Sequence, residues 1–235
     1  LAEVNTFHVF ETSSGNKIFQ IDSANSTVRS LIFSRDNDRL VVVDDKIRWC
    51  SAVSGEVIKS VDQKFDRIGT LALSGDGLTL AVVGHGSLGQ LFSIYRLDAT
   101  EKTVTRLMTD AKVSGTLYSS ALSLDGRRIS IGAQLSGVLH VVDTATGRVI
   151  TKHSSAHASP IATLAFSSDG SKLATADAEG TIKIWADAEK LNSKSVALLT
   201  LKGHQGAIFT IGFSDDDKRL VTAGEDKTAR VWDLE

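Results

Sequence analysis

The stretch GHQGAIFTIGFSDDDKRLVTAGEDKTARVWDLE, residues 203–235, is one copy of a unit that recurs along nearly the whole chain. It contains a Gly-His pair, an apolar stretch that ends in Phe-Ser, an Asp-rich turn, a second apolar stretch and a closing Trp-Asp. Repeats of this length are typical of units built from several short strands that stack on their neighbours. The recurring unit therefore predicts a repeat fold of stacked units, each built from several short strands.

A serine closes the first apolar stretch of each copy and sets the register of the repeat. These serines are Ser34, Ser74, Ser123, Ser167 and Ser214. Their spacing of about 40–50 residues is enough for four short strands and their turns. Each serine leads into a turn rich in Asp and Gly, residues that accept the positive φ of tight hairpins. The copies therefore predict antiparallel strands joined by tight turns.

Apolar runs follow these turns, and we expect them to form strands that are buried on both faces. They cover residues 40–43, 78–83, 129–131, 173–176 and 220–223. A third strand ends in an aromatic or apolar residue, and we expect Trp49, Trp185 and Trp232 at this one structural position. No sustained 3.6-residue apolar period occurs, so no substantial helix is predicted.

This arrangement resembles the WD repeat, whose family fold is a propeller of four-stranded blades. The resemblance implies an all-β fold, a WD-repeat β-propeller of four-stranded antiparallel blades in a single domain, 1–235. We expect a partial blade at 1–22, and blades at roughly 27–62, 67–109, 115–153, 159–202 and 206–235.

The strands at the two ends of the chain indicate an incomplete ring. Two strands precede the first full blade and only three form the last, so about five and a half blades are covered. Family rings most often have seven blades, which implies that the missing strands come from the rest of a longer chain or from another chain. The alternative is a closed five-bladed ring, in which residues 16–22 form the outer strand of the last blade.

Composition predicts a soluble globular protein, with 42% hydrophobic residues, 23% charged residues and a formal net charge of −2. No membrane span or signal peptide is visible. Short basic pairs such as Arg127-Arg128 lie beside acids, so no nucleic acid is expected as a partner. One cysteine, Cys50, is compatible with a reducing compartment and a cytoplasmic location. The chain begins with Leu1, which leaves excision of a targeting segment open.

The family resemblance implies a buried hydrogen-bond network of a His, a Ser or Thr, an Asp and a Trp. The last copy matches it fully, with His204, Thr222, Asp226 and Trp232. In the preceding copy the candidates are His157, Thr175, Glu179 and Trp185, with Glu in the Asp position. Such a network satisfies polar groups that would each be costly to bury alone.

A His, a hydroxyl and an acid are also the components of a hydrolase. These residues repeat with the strands, however, and no G-x-S-x-G motif accompanies them, so the structural role is favoured. The six histidines give no metal-ligand spacing, and the glycines of residues 82–90 precede no helix, as a nucleotide-binding loop would require. We therefore expect no catalytic residue, no metal and no cofactor.

The predicted function is a non-enzymatic scaffold or adaptor that binds a protein or peptide, because repeat surfaces suit recognition. In WD-family propellers the partner commonly lies over the top face, near the start of each first strand and before the turn Asp. The matching residues here are Arg29, Arg67, Tyr118, Phe209 and Glu225. For Tyr118 and Phe209 the alternative is packing between blades.

Two other functions stay open at this point. One is a propeller enzyme, lactonase-like or quinone-dependent, because residues 122–132 and 141–150 resemble strand patterns of such enzymes. The other is a sensor or structural module of a larger multidomain protein, which would explain the missing strands.

Overall fold

The computed structural model describes residues 5–23, 28–63, 65–86, 89–98, 100, 103–108, 117–133, 137–186 and 191–235. All regular secondary structure in these ranges is β-strand, and twenty-one strands are present there. They form six antiparallel sheets, each made of strands that are consecutive in sequence. The predicted all-β class of four-stranded antiparallel blades is therefore confirmed.

We call the first sheet the N-terminal sheet and the others blades I to V. The N-terminal sheet contains β1 (Asn5–Phe10) and β2 (Lys17–Ser23). Blade I contains β3 (Ser30–Phe33), β4 (Arg39–Val43), β5 (Lys46–Ser51) and β6 (Val57–Asp62). Blade II contains β7 (Arg67–Leu73), β8 (Thr79–Gly86), β9 (Gly89–Leu97) and β10 (Val104–Met108).

The remaining blades follow in the same order. Blade III contains β11 (Leu117–Leu122), β12 (Arg128–Ala133), β13 (Leu139–Asp143) and β14 (Val149–His153). Blade IV contains β15 (Ile161–Phe166), β16 (Lys172–Asp177), β17 (Thr181–Ala186) and β18 (Leu199–Lys202). Blade V contains β19 (Ile208–Phe213), β20 (Arg219–Gly224) and β21 (Ala229–Asp233).

The turn between the first two strands of every blade is built on the repeated serine. In all five blades the serine Oγ donates to the carboxylate two residues later, at 2.5–2.7 Å. The same Oγ accepts the backbone N–H of the fifth residue after the serine. The third residue after the serine has positive φ in each blade, including the non-glycine residues Asn37 and Asp217. Asn and Asp tolerate this conformation best among non-glycine residues.

The sheets stack face to face, with an apolar cluster at each of the five seams. We call the side of a blade that meets the next blade in sequence its following face, and the opposite side its preceding face. Residues from all five first strands, β3, β7, β11, β15 and β19, line one central cavity of about 390 Å³. The blades are therefore arranged around a shared axis, as in a propeller.

Blade V differs from the other blades in burial. The second strands of blades I to IV are buried on both faces, as predicted, but β20 alternates between buried and exposed residues. Val221 and Val231 pair across β20 and β21 and are 47% and 67% exposed. The equivalent pair of blade IV, Ala174 and Ile184, is fully buried. Blade IV is covered by blade V, whereas no described sheet covers the following face of blade V.

The two ends of the described sheets do not pair with each other. Strand β2 pairs with β1, and β21 pairs with β20. The closed five-bladed alternative, which required residues 16–22 beside β21, is therefore wrong for the described residues. A seven-bladed ring stays a prediction.

The tryptophans do not share one position. Trp185 lies opposite Leu173 and Trp232 opposite Leu220, but the residue opposite Leu40 in blade I is Cys50. Trp49 precedes it by one residue and therefore points to the other face, because side chains alternate along a strand. Its indole donates to the Gly77 carbonyl of blade II at 3.2 Å. The expectation of a common position is wrong for Trp49.

Candidate functional site

The four residues predicted as a network in the last copy meet in blade V. His204 Nδ1 lies 2.9 Å from an Asp226 carboxylate oxygen, and His204 Nε2 lies 2.8 Å from Thr222 Oγ1. Trp232 Nε1 donates to the same Thr222 Oγ1 at 2.9 Å. Because an indole N–H only donates, the threonine hydroxyl accepts this bond, and its own proton is left available for the imidazole. The Asp226 carboxylate only accepts, so the imidazole nitrogen that faces it, Nδ1, is the donor in that hydrogen bond.

Asp226 is held by several donors besides the imidazole. Its carboxylate accepts the backbone N–H of Gln205 and both the N–H and the hydroxyl of Thr228. Burial raises the pKa of this carboxyl, but the hydrogen bonds from Thr228, Gln205 and His204 outweigh it, and the pKa lies below the ordinary value. The carboxylate is therefore ionised at neutral pH and ties the link before β19 to the turn after β20.

Blade IV contains a second network with the same connections. His157 Nε2 lies 2.7 Å from Thr175 Oγ1, which also accepts the Trp185 indole N–H at 2.9 Å. The acid differs from the prediction, because His157 Nδ1 meets Asp177 Oδ2 at 3.0 Å and the Glu179 side chain is exposed. Glu179 is therefore wrong as the network acid.

The position of Asp177 at the end of β16 explains this difference. Its second oxygen, Oδ1, accepts the backbone N–H groups of Glu179 and Thr181 and so closes the turn. Thr175 and Asp177 lie two residues apart on one strand, so their side chains share a face. This Thr-x-Asp spacing is the signal in the sequence that could have identified Asp177.

Blade I fills the equivalent place with an ion pair that sequence reasoning missed. Asp44 follows β4 as Asp177 ends β16, and it forms a salt bridge with Arg48. Both side chains are largely buried, and Asp44 Oδ1 accepts the Lys46 N–H at 2.9 Å. A guanidinium thus replaces the imidazole of blades IV and V as the partner of the carboxylate.

Two of the five predicted partner-binding residues, Tyr118 and Phe209, lie at a recurrent β-bulge. The pairing of the first and second strands shifts register at Gly69, Tyr118, Ala162 and Phe209, the fifth residue before the repeated serine. A bulge re-aims the side chain at its extra residue. Phe209 is 67% exposed, so packing between blades does not account for it. The Tyr118 side chain lies outside the described residues.

The other three predicted contact residues have different surroundings. Arg29 donates from its guanidinium to the Phe65 and Asp66 carbonyls, and so links blade I to the start of blade II. Arg67 is exposed at the start of β7. Glu225 is exposed and accepts the Ala207 N–H at 3.2 Å. Arg67 and Phe209 are therefore the more available of the described candidates.

Other types of site receive no support from the residues that the structure describes. No group of three or more His, Cys, Asp or Glu side chains there could hold a metal ion. In the glycine-rich segment 82–90, residues 82–86 belong to β8 and residues 89–90 to β9, and Gly86 pairs with Gly89. No helix in the described ranges is long and apolar enough to cross a membrane.

Stacked four-stranded antiparallel sheets around one cavity define a β-propeller-type repeat protein. Two segments, residues 148–186 and 195–233, match the family model described as WD domain, G-beta repeat. The two matched segments are therefore WD repeats, and they contain the networks of blades IV and V. Comparison with curated proteins gave no significant match.

Proposed function

We propose that this chain is a non-enzymatic scaffold that binds a protein or peptide at the edge of the blades where the first strands begin. We call this edge the rim, and it contains Arg67 at the start of β7 and Phe209 at the start of β19. WD repeats generally mediate protein–protein interaction. The observation that carries the proposal is Phe209, a large aromatic side chain that is exposed on a bulge. Exposed aromatic and arginine side chains contribute most of the binding energy when a partner buries them. Arg67, at the start of β7, supplies an exposed arginine of this kind.

The buried networks support structural roles rather than catalysis. Thr175 and Thr222 are fully buried, and each hydroxyl is shared between an imidazole and an indole. A nucleophile has to reach its substrate, which neither hydroxyl can do from beneath a tryptophan. This argument also weakens the alternative of a lactonase-like or quinone-dependent enzyme.

The wider proposal includes the surroundings of the chain. The exposed faces of the N-terminal sheet and blade V favour completion of the ring by further strands, from a longer chain or from another chain, as a module of a multidomain protein would provide. A cytoplasmic location is supported by the free, buried thiol of Cys50. No nucleic acid or membrane partner is proposed.

The test is a comparative capture experiment with the tagged chain. Wild-type protein, Phe209→Ala, Arg67→Ala and a control, Val196→Ala, are incubated with cell extract, and retained proteins are quantified by mass spectrometry. Val196 is exposed in the loop before β18 and is not on the rim. We expect proteins that are retained by wild type and by Val196→Ala but lost with the rim variants. Equal retention by all four would contradict the rim as a binding surface.

A further inference from the structure

The connection between the third and fourth strands of blade IV is longer than its equivalents in blades I and III. It covers residues 187–198, whereas residues 52–56 and 144–148 join the same strands in those two blades. Each shorter connection is a turn on its own sheet, closed by a glycine N–H that donates to the last residue of the third strand. Residues 191–198, the described part of the longer connection, instead contact blade III. We call residues 191–198 the strap.

Two hydrogen bonds link the strap to β14, the outer strand of blade III. The Thr151 hydroxyl donates to the Leu191 carbonyl at 2.6 Å, and His153 Nε2 lies 2.8 Å from the Ser195 carbonyl oxygen. Because a carbonyl only accepts, Nε2 carries the proton and is the donor. Thr151 and His153 lie two residues apart on one strand, so both side chains are on its face toward blade IV. Leu191 adds an apolar contact, since its side chain is buried in the cluster of this seam.

The strap also has hydrogen bonds of its own. Asn192 N–H donates to Ser195 Oγ at 3.0 Å, and Ser195 N–H donates to the Asn192 carbonyl at 3.1 Å. Lys194 N–H donates to Asn192 Oδ1 at 2.9 Å. At the end of the strap, Leu198 N–H donates to the Ile184 carbonyl of blade IV at 2.7 Å. The turn therefore fixes the carbonyl that the imidazole of blade III binds.

The His153 imidazole connects the strap to the network of blade IV. Its ring lies against the Trp185 indole, with 5.2 Å between the ring centroids and a tilt of 59°. The Trp185 indole N–H donates in turn to Thr175. His153 Nδ1 is buried and has no hydrogen-bond partner among the described residues. Loss of the Ser195 carbonyl would therefore leave a buried imidazole with no hydrogen bond, which is costly unless water enters the seam.

The outward side of the strap is exposed to solvent. Val196 and Leu198 are 87% and 57% exposed, and residues 192–194 are exposed as well. Neither sheet uses the strap in its strand pairing, because β14 pairs with β13 and β18 pairs with β17. Segments with few buried contacts open at a lower free energy than the whole fold. The strap can therefore separate from blade III while both sheets stay paired.

We propose that the strap is a releasable link between blades III and IV, and that its release opens the outer side of their seam and exposes the Trp185 indole to water. The closed state is held by the hydrogen bonds of Thr151 and His153 and by the buried Leu191 side chain. The open state keeps both sheets intact, so the seam opens locally before the protein unfolds. The strap lies at the outer strands, away from the rim at Phe209, so this inference does not depend on the proposed scaffold function.

Hydrogen exchange of the tryptophan indole N–H groups, followed by NMR, tests the proposal. Thr151→Val removes one hydrogen bond of the strap at nearly constant volume, and we expect it to speed exchange at Trp185 by about tenfold or more. Exchange at Trp49, which is buried at the seam of blades I and II, should stay within about twofold of wild type. The Trp185 resonance is identified by its absence in Trp185→Phe. Equal acceleration at both tryptophans, or unchanged exchange at Trp185, would overturn the proposal.

Three further variants separate release of the strap from general destabilisation. Thr151→Ser keeps the hydroxyl and should exchange like wild type, and Ser193→Ala, at an exposed position of the strap, should do the same. Leu191→Ala removes the apolar contact and should act like Thr151→Val, so it carries the test if Thr151→Val does not fold. Cleavage of the native protein by trypsin after Lys194 gives a second readout. We expect faster cleavage in Thr151→Val and Leu191→Ala, and equal rates in all variants would contradict release of the strap.

Discussion

Blades IV and V carry the same His–Thr–Trp network, closed by an aspartate, but among the described sheets only blade IV has a neighbour on both sides. In blade IV the positions equivalent to Val221 and Val231 are fully buried, and the blade has a fourth strand. In blade V the network forms with the same connections although one face is open. The comparison teaches that the network belongs to the single blade, whereas apolar burial depends on the neighbour.

The largest difference between the two blades should come from their equivalent apolar residues. Ile184→Ala removes a side chain buried at the seam with blade V and should lower the free energy of unfolding by about 2–5 kcal/mol. Val231→Ala, at the same position in blade V, should change it by no more than about 0.5 kcal/mol. Chemical denaturation of the dilute proteins measures both. Equal losses would mean that a neighbour covers blade V in solution.

The threonine hydroxyls should matter in both blades. Thr175→Val and Thr222→Val each leave an indole N–H and an imidazole nitrogen without a partner, at a cost of about 1–3 kcal/mol. The loss should be greater for Thr175, because water cannot reach the covered network of blade IV. Tryptophan fluorescence during urea unfolding measures the change, with Thr210→Val at an exposed position of β19 as control. A loss no larger than the control's would show that the networks add no stability.

The identity of the network acid in blade IV can be tested with two amides. Asp177→Asn should destabilise the protein by about 1–3 kcal/mol, because it replaces the charged acceptor of His157 and of two turn N–H groups. Glu179→Gln, two residues away and exposed, should stay within about 0.5 kcal/mol of wild type. The same unfolding measurement separates them. The reverse order would restore Glu179 as the network acid.

The contribution of Asp177 should depend on pH. Burial raises the pKa of its carboxyl, but hydrogen bonds from His157 and the Thr181 N–H outweigh this, and the pKa lies below the ordinary 3.8. A lowered folded-state pKa stabilises the protein above the ordinary value, and this contribution is lost as pH falls through the folded-state pKa. The stability difference between wild type and Asp177→Asn should therefore be constant near neutral pH and shrink below about pH 4. A difference that grows on acidification would contradict the assignment.

The smallest effect on stability is expected at the rim. Phe209→Ala removes an exposed side chain and should shift the unfolding midpoint hardly at all, while its effect on partner capture is large. Differential scanning fluorimetry measures the midpoint. Strong destabilisation would place Phe209 in the core of blade V.

Much of the fold could be predicted because short, local sequence patterns specify its turns. The serine, the acid two residues later and the residue of positive φ form one hydrogen-bonded unit in each blade, so the copies can be aligned without structural knowledge. The network of blade V could be predicted from the sequence for the same reason, since all four of its residues match the family pattern.

The predictions were wrong where a residue's role depends on which face of its strand the side chain occupies. Whether Trp49 or Cys50 takes the tryptophan position depends on how many residues the β4–β5 turn contains, and a shift of one residue moves a side chain to the other face. Similarly, Asp177 and Glu179 flank one turn, and the backbone register of β16 determines which carboxylate reaches His157. The bulge at Phe209 was also hidden, because its register shift depends on pairing rather than on residue type.

The two WD segments are offset by one strand from the blades that they help to build. Residues 148–186 contain β14, the outer strand of blade III, and then β15 to β17 of blade IV. The segment 195–233 likewise joins β18 of blade IV to the three strands of blade V. Each sequence repeat therefore spans the seam between two blades. A tandem duplication of one repeat would add the outer strand of one blade and the first three strands of the next. The number of blades can change in this way without breaking any existing sheet, and the unfinished strands always collect at the ends of the array.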